Sequence, residues 1–132
     1  MPRPKATARG LLPLTEHGET VALCQRAHYN ARSYPELSLL IGIKNEATYR
    51  RADLRAEGIK AGVPDLFLPV ARGGHHGLFI EMKVARGKPS VEQLRFAGLV
   101  TAQGYQVRFC WGQEQGWQAL LSYLAGEPDE KP

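Results

Sequence analysis

Leu78-Phe79-Ile80-Glu81-Met82-Lys83 is an apolar strand that carries two charges on one side. Because side chains alternate along an extended chain, Phe79, Glu81 and Lys83 share one face while Ile80 and Met82 take the other. A carboxylate in the middle of such a strand costs several kcal/mol if it is dehydrated without a partner. Glu81 is therefore expected to be paired, exposed or bound to a cation, and Lys83, two residues on, is one candidate partner.

The same strand organises its neighbours. Upstream, Arg72-Gly73-Gly74-His75-His76-Gly77 has three glycines available for positive φ and reads as a turn. Before it, Asp65-Leu66-Phe67-Leu68-Pro69-Val70 reads as a strand bounded by prolines, which cannot donate ladder bonds. The two strands form a hairpin, which brings Asp65 toward Glu81. Downstream, Ser90-Val91-Glu92-Gln93 is a capping-box pattern that opens a helix with Leu94, Ala97, Gly98 and Val100 or Thr101 at helical spacing, stopped at Gly104. Tyr105 to Trp111 alternates as another strand, and Gln113 to Leu124 places Trp117, Leu120, Leu121 and Leu124 on a stripe suited to covering a sheet.

Toward the N-terminus, Thr15 is a candidate cap, with Glu16 and Glu19 in the first turn of a helix running to about Arg32. Leu39-Leu40-Ile41-Gly42-Ile43 has the length and branching of a buried strand. Lys44 to Glu57 reads as a polar excursion with a short helix around Ala47 to Ala56. Residues 1–14 hold three prolines and three basic residues and are expected to form a flexible basic arm, while 127–132 form an acidic tail. The expected fold class is α/β, with a mixed central sheet of about four strands flanked by helices in a domain spanning 15–126.

The 132 residues suffice for one core, and no repeat period or membrane-length apolar run occurs. Leu11-Leu12-Pro13-Leu14 is too brief for a signal-peptide core, and Cys24 and Cys110 lack CxxC partners, so a reducing cytoplasm is the expected compartment. The balance of 17 Lys and Arg against 13 Asp and Glu is mild support for a polyanionic partner.

Two carboxylates converging at a sheet end supply hard oxygen ligands suited to Mg²⁺ or Mn²⁺, which take one or two protein carboxylates and complete their shell with water and substrate phosphate. With a lysine beside them, the arrangement suits hydrolysis of a phosphodiester. Pro64-Asp65, fifteen intervening residues, then Glu81-Met82-Lys83 resemble the PD-(D/E)XK nuclease motif. The surrounding Gly62-Val63-Pro64-Asp65-Leu66, Phe79-Ile80-Glu81-Met82-Lys83, Ser90-Val91-Glu92-Gln93 and Gly104-Tyr105 resemble the VRR-NUC family of that superfamily. Asn45-Glu46 resembles that family's "PN" region, with Lys44 in place of the usual proline.

The resemblance implies a restriction-endonuclease-like core and a Mg²⁺- or Mn²⁺-dependent endodeoxyribonuclease leaving 5′-phosphate and 3′-hydroxyl ends. It implies that Asp65 and Glu81 are metal ligands, with the Met82 backbone carbonyl completing the inner shell. Lys83 becomes the catalytic lysine and Gln93 a helix residue facing the site. Glu16 is the matching acid from the first helix, with Glu19 as its rival. Small stand-alone members are similar to dimeric phage and bacterial enzymes acting on branched DNA such as Holliday junctions, so a homodimer is expected, and no membrane association.

Plainer roles stand beside these. Asp65, Glu81 and Lys83 would also serve as a structural salt bridge, Gln93 as a capping residue, and Glu16 and Glu19 as first-turn acids. Arg86 and Lys88, with Arg50 and Arg51, are candidate phosphate contacts. His75 and His76 are expected to be solvated, and Trp111 and Trp117 to lie in the core. Rival functions are a DNA-binding module without turnover, a flap or nicking nuclease, and a restriction-like enzyme.

Overall fold

A computed structural model describes residues 15–43 and 57–128. The arm over 1–14, the helix placed around Ala47 to Ala56, the Asn45-Glu46 pair, Arg50, Arg51 and the end of the acidic tail lie outside the described residues.

Thr15 caps the first helix, α1 (Glu16–Tyr29), its hydroxyl accepting from the Gly18 amide at 3.0 Å. One of the four orphan donors at the helix start is thus satisfied, and Glu16 and Glu19 sit where the dipole favours acid. The helix ends at Tyr29 rather than Arg32, because the Asn30 amide turns back onto the Arg26 and Ala27 carbonyls.

The strands are β1 (Ile41–Gly42), β2 (Leu66–Leu68), β3 (Leu78–Lys83) and β4 (Gln106–Trp111), ordered β1-β2-β3-β4. β1 and β2 pair antiparallel, β2 and β3 pair antiparallel, and β3 and β4 pair parallel. The parallel step needs a crossover element, supplied by α2 (Val91–Thr101). The last helix is α3 (Gln113–Leu124).

The expected buried strand over Leu39 to Ile43 is corrected here. Pro35 opens a 3₁₀ turn that runs to Leu39, leaving only Ile41 and Gly42 paired, both exposed on the sheet edge. Proline presets the first φ of such a turn, and an edge strand needs no apolar cover.

One sheet face, with Leu66, Leu68, Leu78, Ile80, Met82 and Cys110, packs beneath α1 and α3. Leu23 of α1 and Trp117, Ala119, Leu120 and Tyr123 of α3 complete that core. Gly116 permits close approach at the crossing, because a Cβ there would lie 2.6 Å from the end of the Leu23 side chain, which would have to shift. The opposite face carries Phe67, Phe79, Glu81 and Lys83 and receives α2. Phe79 stacks on Phe67 at 4.4 Å and meets Phe96 of α2 edge-on at 5.5 Å.

The inward side of α2 differs from the expected stripe. Phe96, Ala97 and Val100 are partly covered with Gln93, while Leu94 is 55% exposed and Gly98 is exposed. Packing against the Phe67–Phe79 pair, not helical spacing alone, selects the covered side. No helix among the described residues is long and apolar enough to cross a membrane.

Candidate active site

The hairpin register decides where the two carboxylates fall. Leu66 pairs with Ile80, so Asp65, one residue earlier, stands opposite Glu81, one residue later, and both project from the same face. Asp65 Oδ2 accepts from the Met82 amide at 2.9 Å, which fixes it against β3. On the far side, the Asp65 carbonyl accepts from the Ile43 amide, pinning the backbone to the edge strand.

Glu81 and Lys83 are nearly sealed from water, at 3% and 7% exposure, in a sheet face that otherwise holds aromatic rings. Lys83 Nζ lies 3.4 Å from Glu81 Oε2, and Gln93 Nε2 donates to the same oxygen at 3.0 Å. Burial, reinforced by the neighbouring Asp65, pushes the Glu81 carboxyl up to about 7 against the pull of Lys83. Burial also raises Asp65; the Met82 amide and Lys83 oppose that rise and Glu16 adds to it. Two acids that repel each other in a dry site, with one lysine beside Glu81, are short of positive charge.

Gln93 has two jobs, and the two ends of its side-chain amide divide them. Its Oε1 accepts from the Ser90 amide at 2.9 Å while its own amide donates to Ser90 Oγ at 3.1 Å, closing the capping box. Its Nε2 remains for Glu81, so the capping and site roles coexist.

The two first-helix acids separate cleanly. Glu16 is close enough to both Asp65 and Glu81 to raise their pKa values. Glu19 Oε2 instead accepts from the Gln113 amide at 2.7 Å, at the start of α3, whose cap position is a glycine with no side chain to offer. Glu19 is thereby engaged as the cap of a helix 94 residues away.

Two glycines and Trp111 support the site in ways the sequence patterns do not show. Gly62 has φ +89°, and a Cβ there would lie 2.4 Å from the Glu92 carbonyl oxygen, so the loop carrying Asp65 touches the first turn of α2 directly. Gly87 closes the turn after Lys83, its amide donating to Val84, and a Cβ would come within 3.5 Å of the Lys83 stem. Trp111 stands beside Lys83 on β4 and donates its Nε1 to the Gly87 carbonyl at 2.8 Å. It is 37% exposed, which corrects its expected place in the core; Trp117, 6% exposed, is buried as expected. The signal for Gly62 was its place just before Pro64-Asp65, where close backbone approach needs a missing side chain.

Arg86 occupies the left-handed region at φ 69° in the turn that ends at Gly87, and with Lys88 it is exposed beyond Lys83. Arg50 and Arg51 lie outside the described residues. His76 is exposed and His75 partly so, and among the described residues no three His, Cys, Asp or Glu are gathered to hold a metal by themselves. The donor set of the Asp65–Glu81 pair still fits Mg²⁺ or Mn²⁺: its oxygens are hard, its charge is unbalanced, and such ions need only one or two carboxylates from the protein.

The sequence model of a family described as VRR-NUC domain matches residues 14–114. A solved structure titled "VRR_NUC domain protein" superposes with a TM-score of 0.72 at 22% identity, covering 89% of this chain and 93% of that one. No curated protein sequence matches the chain.

Proposed function

The chain belongs to the VRR-NUC family of PD-(D/E)XK nucleases, and from that membership we propose that it is a Mg²⁺- or Mn²⁺-dependent endonuclease that cuts branched DNA in the cytoplasm as a homodimer. One observation supports the reading above others: Asp65 and Glu81 stand opposite each other on one sheet face with Lys83 as the nearby cation. A structural salt bridge would be satisfied by one acid and one base. Here two acids are held together against their repulsion, and Glu16 adds a third charge of the same sign.

In this reading Asp65 and Glu81 hold the divalent ion, with the Met82 carbonyl as a further oxygen and Glu16 as an outer acid. The bound ion would supply Lewis acidity to a phosphodiester oxygen and a more acidic water. Gln93 keeps Glu81 aimed and takes part of its charge. Lys83 balances charge growing on the phosphorus oxygens and orients the attacking water. Arg86 and Lys88 take backbone phosphates beside Lys83.

A four-way junction is cut symmetrically only by two sites, which a two-fold dimer supplies. The outward side of α2 favours such pairing, with Val91 79%, Leu94 55% and Leu99 60% exposed.

The test is a panel of labelled four-way junction, flap and linear duplex DNA with Mg²⁺, Mn²⁺ or EDTA, comparing the native chain with Asp65→Ala and Lys83→Ala. Metal-dependent cleavage of branched DNA, reduced at least 100-fold in both variants, is expected. Undiminished cleavage by the variants defeats the site. Binding without cleavage by the native chain favours a DNA-binding module, and cutting of linear duplex at one fixed sequence favours a restriction-like enzyme.

A further inference from the structure

Asp65 and Glu16, but not Glu81, line a larger space beside the site. Residues of α1 at helical spacing, Glu16 through Val21 to His28 and Tyr29, face Ile43, just past the edge strand, and Asp65 across a cavity of about 530 Å³. That volume lies within the roughly 300–1,000 Å³ typical of small-ligand sites. Its lining includes no Lys or Arg among the described residues, whereas Glu16 and Asp65 are acidic. Among the described residues, this lining offers a phosphate backbone no lysine or arginine to pair with. An uncharged, flat, partly apolar group is a better match. Val21 and Ile43 supply aliphatic surface, and His28 and Tyr29 supply π faces, their rings edge-on at 5.8 Å. Val21 lies five residues beyond Glu16, about 7.5 Å along the helix axis at 1.5 Å per residue, within reach of a base whose own phosphate sits at the carboxylates.

We propose that this cavity receives the base of an unpaired nucleotide next to the scissile phosphate. The proposal rests on the nuclease reading and gives it a physical source of structure selectivity. A base in intact duplex must unpair and unstack before it can leave the helix, whereas one at a branch, flap or mismatch is already free. The cavity thus favours cleavage where pairing has failed, without reading sequence.

The experiment uses the full chain and the DNA it cuts fastest, with the cleavage position mapped. The nucleotides on the 5′ and 3′ sides of the cut are replaced in turn by a tetrahydrofuran abasic residue, and single-turnover rates are measured in Mg²⁺. At one of the two positions, loss of the base is expected to slow cleavage at least tenfold. Val21→Trp, at a partly exposed position that faces the cavity, is expected to slow cleavage of the intact DNA to a similar degree while cutting the abasic DNA at the native rate. On the native chain alone, 2-aminopurine at the sensitive position is expected to change fluorescence on binding in Ca²⁺. Slowing of less than threefold at both positions overturns the cavity proposal while the nuclease reading stands. A native chain that cuts none of the DNAs with either metal overturns both.

Discussion

Glu81 carries the sharpest electrostatic consequence at the residue scale. Its pKa rises from 4.5 to about 7 in the folded chain, so between those values the folded state holds a proton that the unfolded state has released. Stability of the metal-free protein therefore falls as pH rises through that window and levels off above about 7. Glu81→Gln cannot ionise, and is expected to be more stable than the native chain at pH 8 by about 1–3 kcal/mol while losing cleavage. Urea denaturation at pH 5 and pH 8 in EDTA checks this, and an equal pH dependence in both proteins would contradict it. Addition of Mg²⁺ is expected to raise the native Tm more at pH 8 than at pH 6, since an ion competes with the proton for the same oxygens.

Glu16 and Glu19 make a second residue-scale comparison. Glu16→Ala removes a repulsive neighbour of Asp65 and Glu81, so cleavage should fall with stability unchanged or improved. Glu19→Ala strips the cap from α3 and should cost about 1 kcal/mol with cleavage retained at the same temperature. Reversal of the two effects would exchange their assignments.

At the scale of elements, Gly62 couples the Asp65 loop to α2. An Ala there meets both an unfavourable positive φ and the Glu92 carbonyl, so the loop or the helix must move. Gly62→Ala is expected to cost more than about 2 kcal/mol and to reduce cleavage further than that loss explains, because Asp65 and Gln93 shift relative to each other. A denaturation midpoint unchanged from native would refute this.

The elements that were legible in sequence are those whose pattern is local. β3 follows its alternation from Leu78 to Lys83, α3 follows its stripe from Gln113 to Leu124, and the Ser90–Gln93 box opens α2 as its spacing predicts. The readings that failed depended on neighbours. Leu39 to Ile43 has the composition of a buried strand but lies at a sheet edge, and Trp111 alternates inward yet spends its indole N–H on the Gly87 carbonyl. Asp65, Glu81 and Lys83 could be gathered in advance because a hairpin register follows from turn and pleat. The distinction between Glu16 and Glu19 could not, since it is made by the amide of Gln113, far along the chain.

For the whole molecule, the outward side of α2 is the feature that packing within one chain leaves unexplained. Leu94 and Leu99 are more than half exposed on a helix with no fully buried residue. If this side joins two copies, Leu94→Glu with Leu99→Glu should give a monomer in light scattering at micromolar concentration. The double variant would lose symmetric cutting of a four-way junction but keep single-strand nicking. A native chain that is itself monomeric would remove the dimer and with it paired incision.

The contact between Glu19 and Gln113 reaches from the first turn of α1 to the start of α3. During synthesis, the ribosome must release the chain through Gln113 before α1 can gain this tether, which helps hold the helix that carries Glu16. Chains interrupted before that point could still pair the hairpin that brings Asp65 opposite Glu81, but they would lack the tie that fastens the first helix beside it.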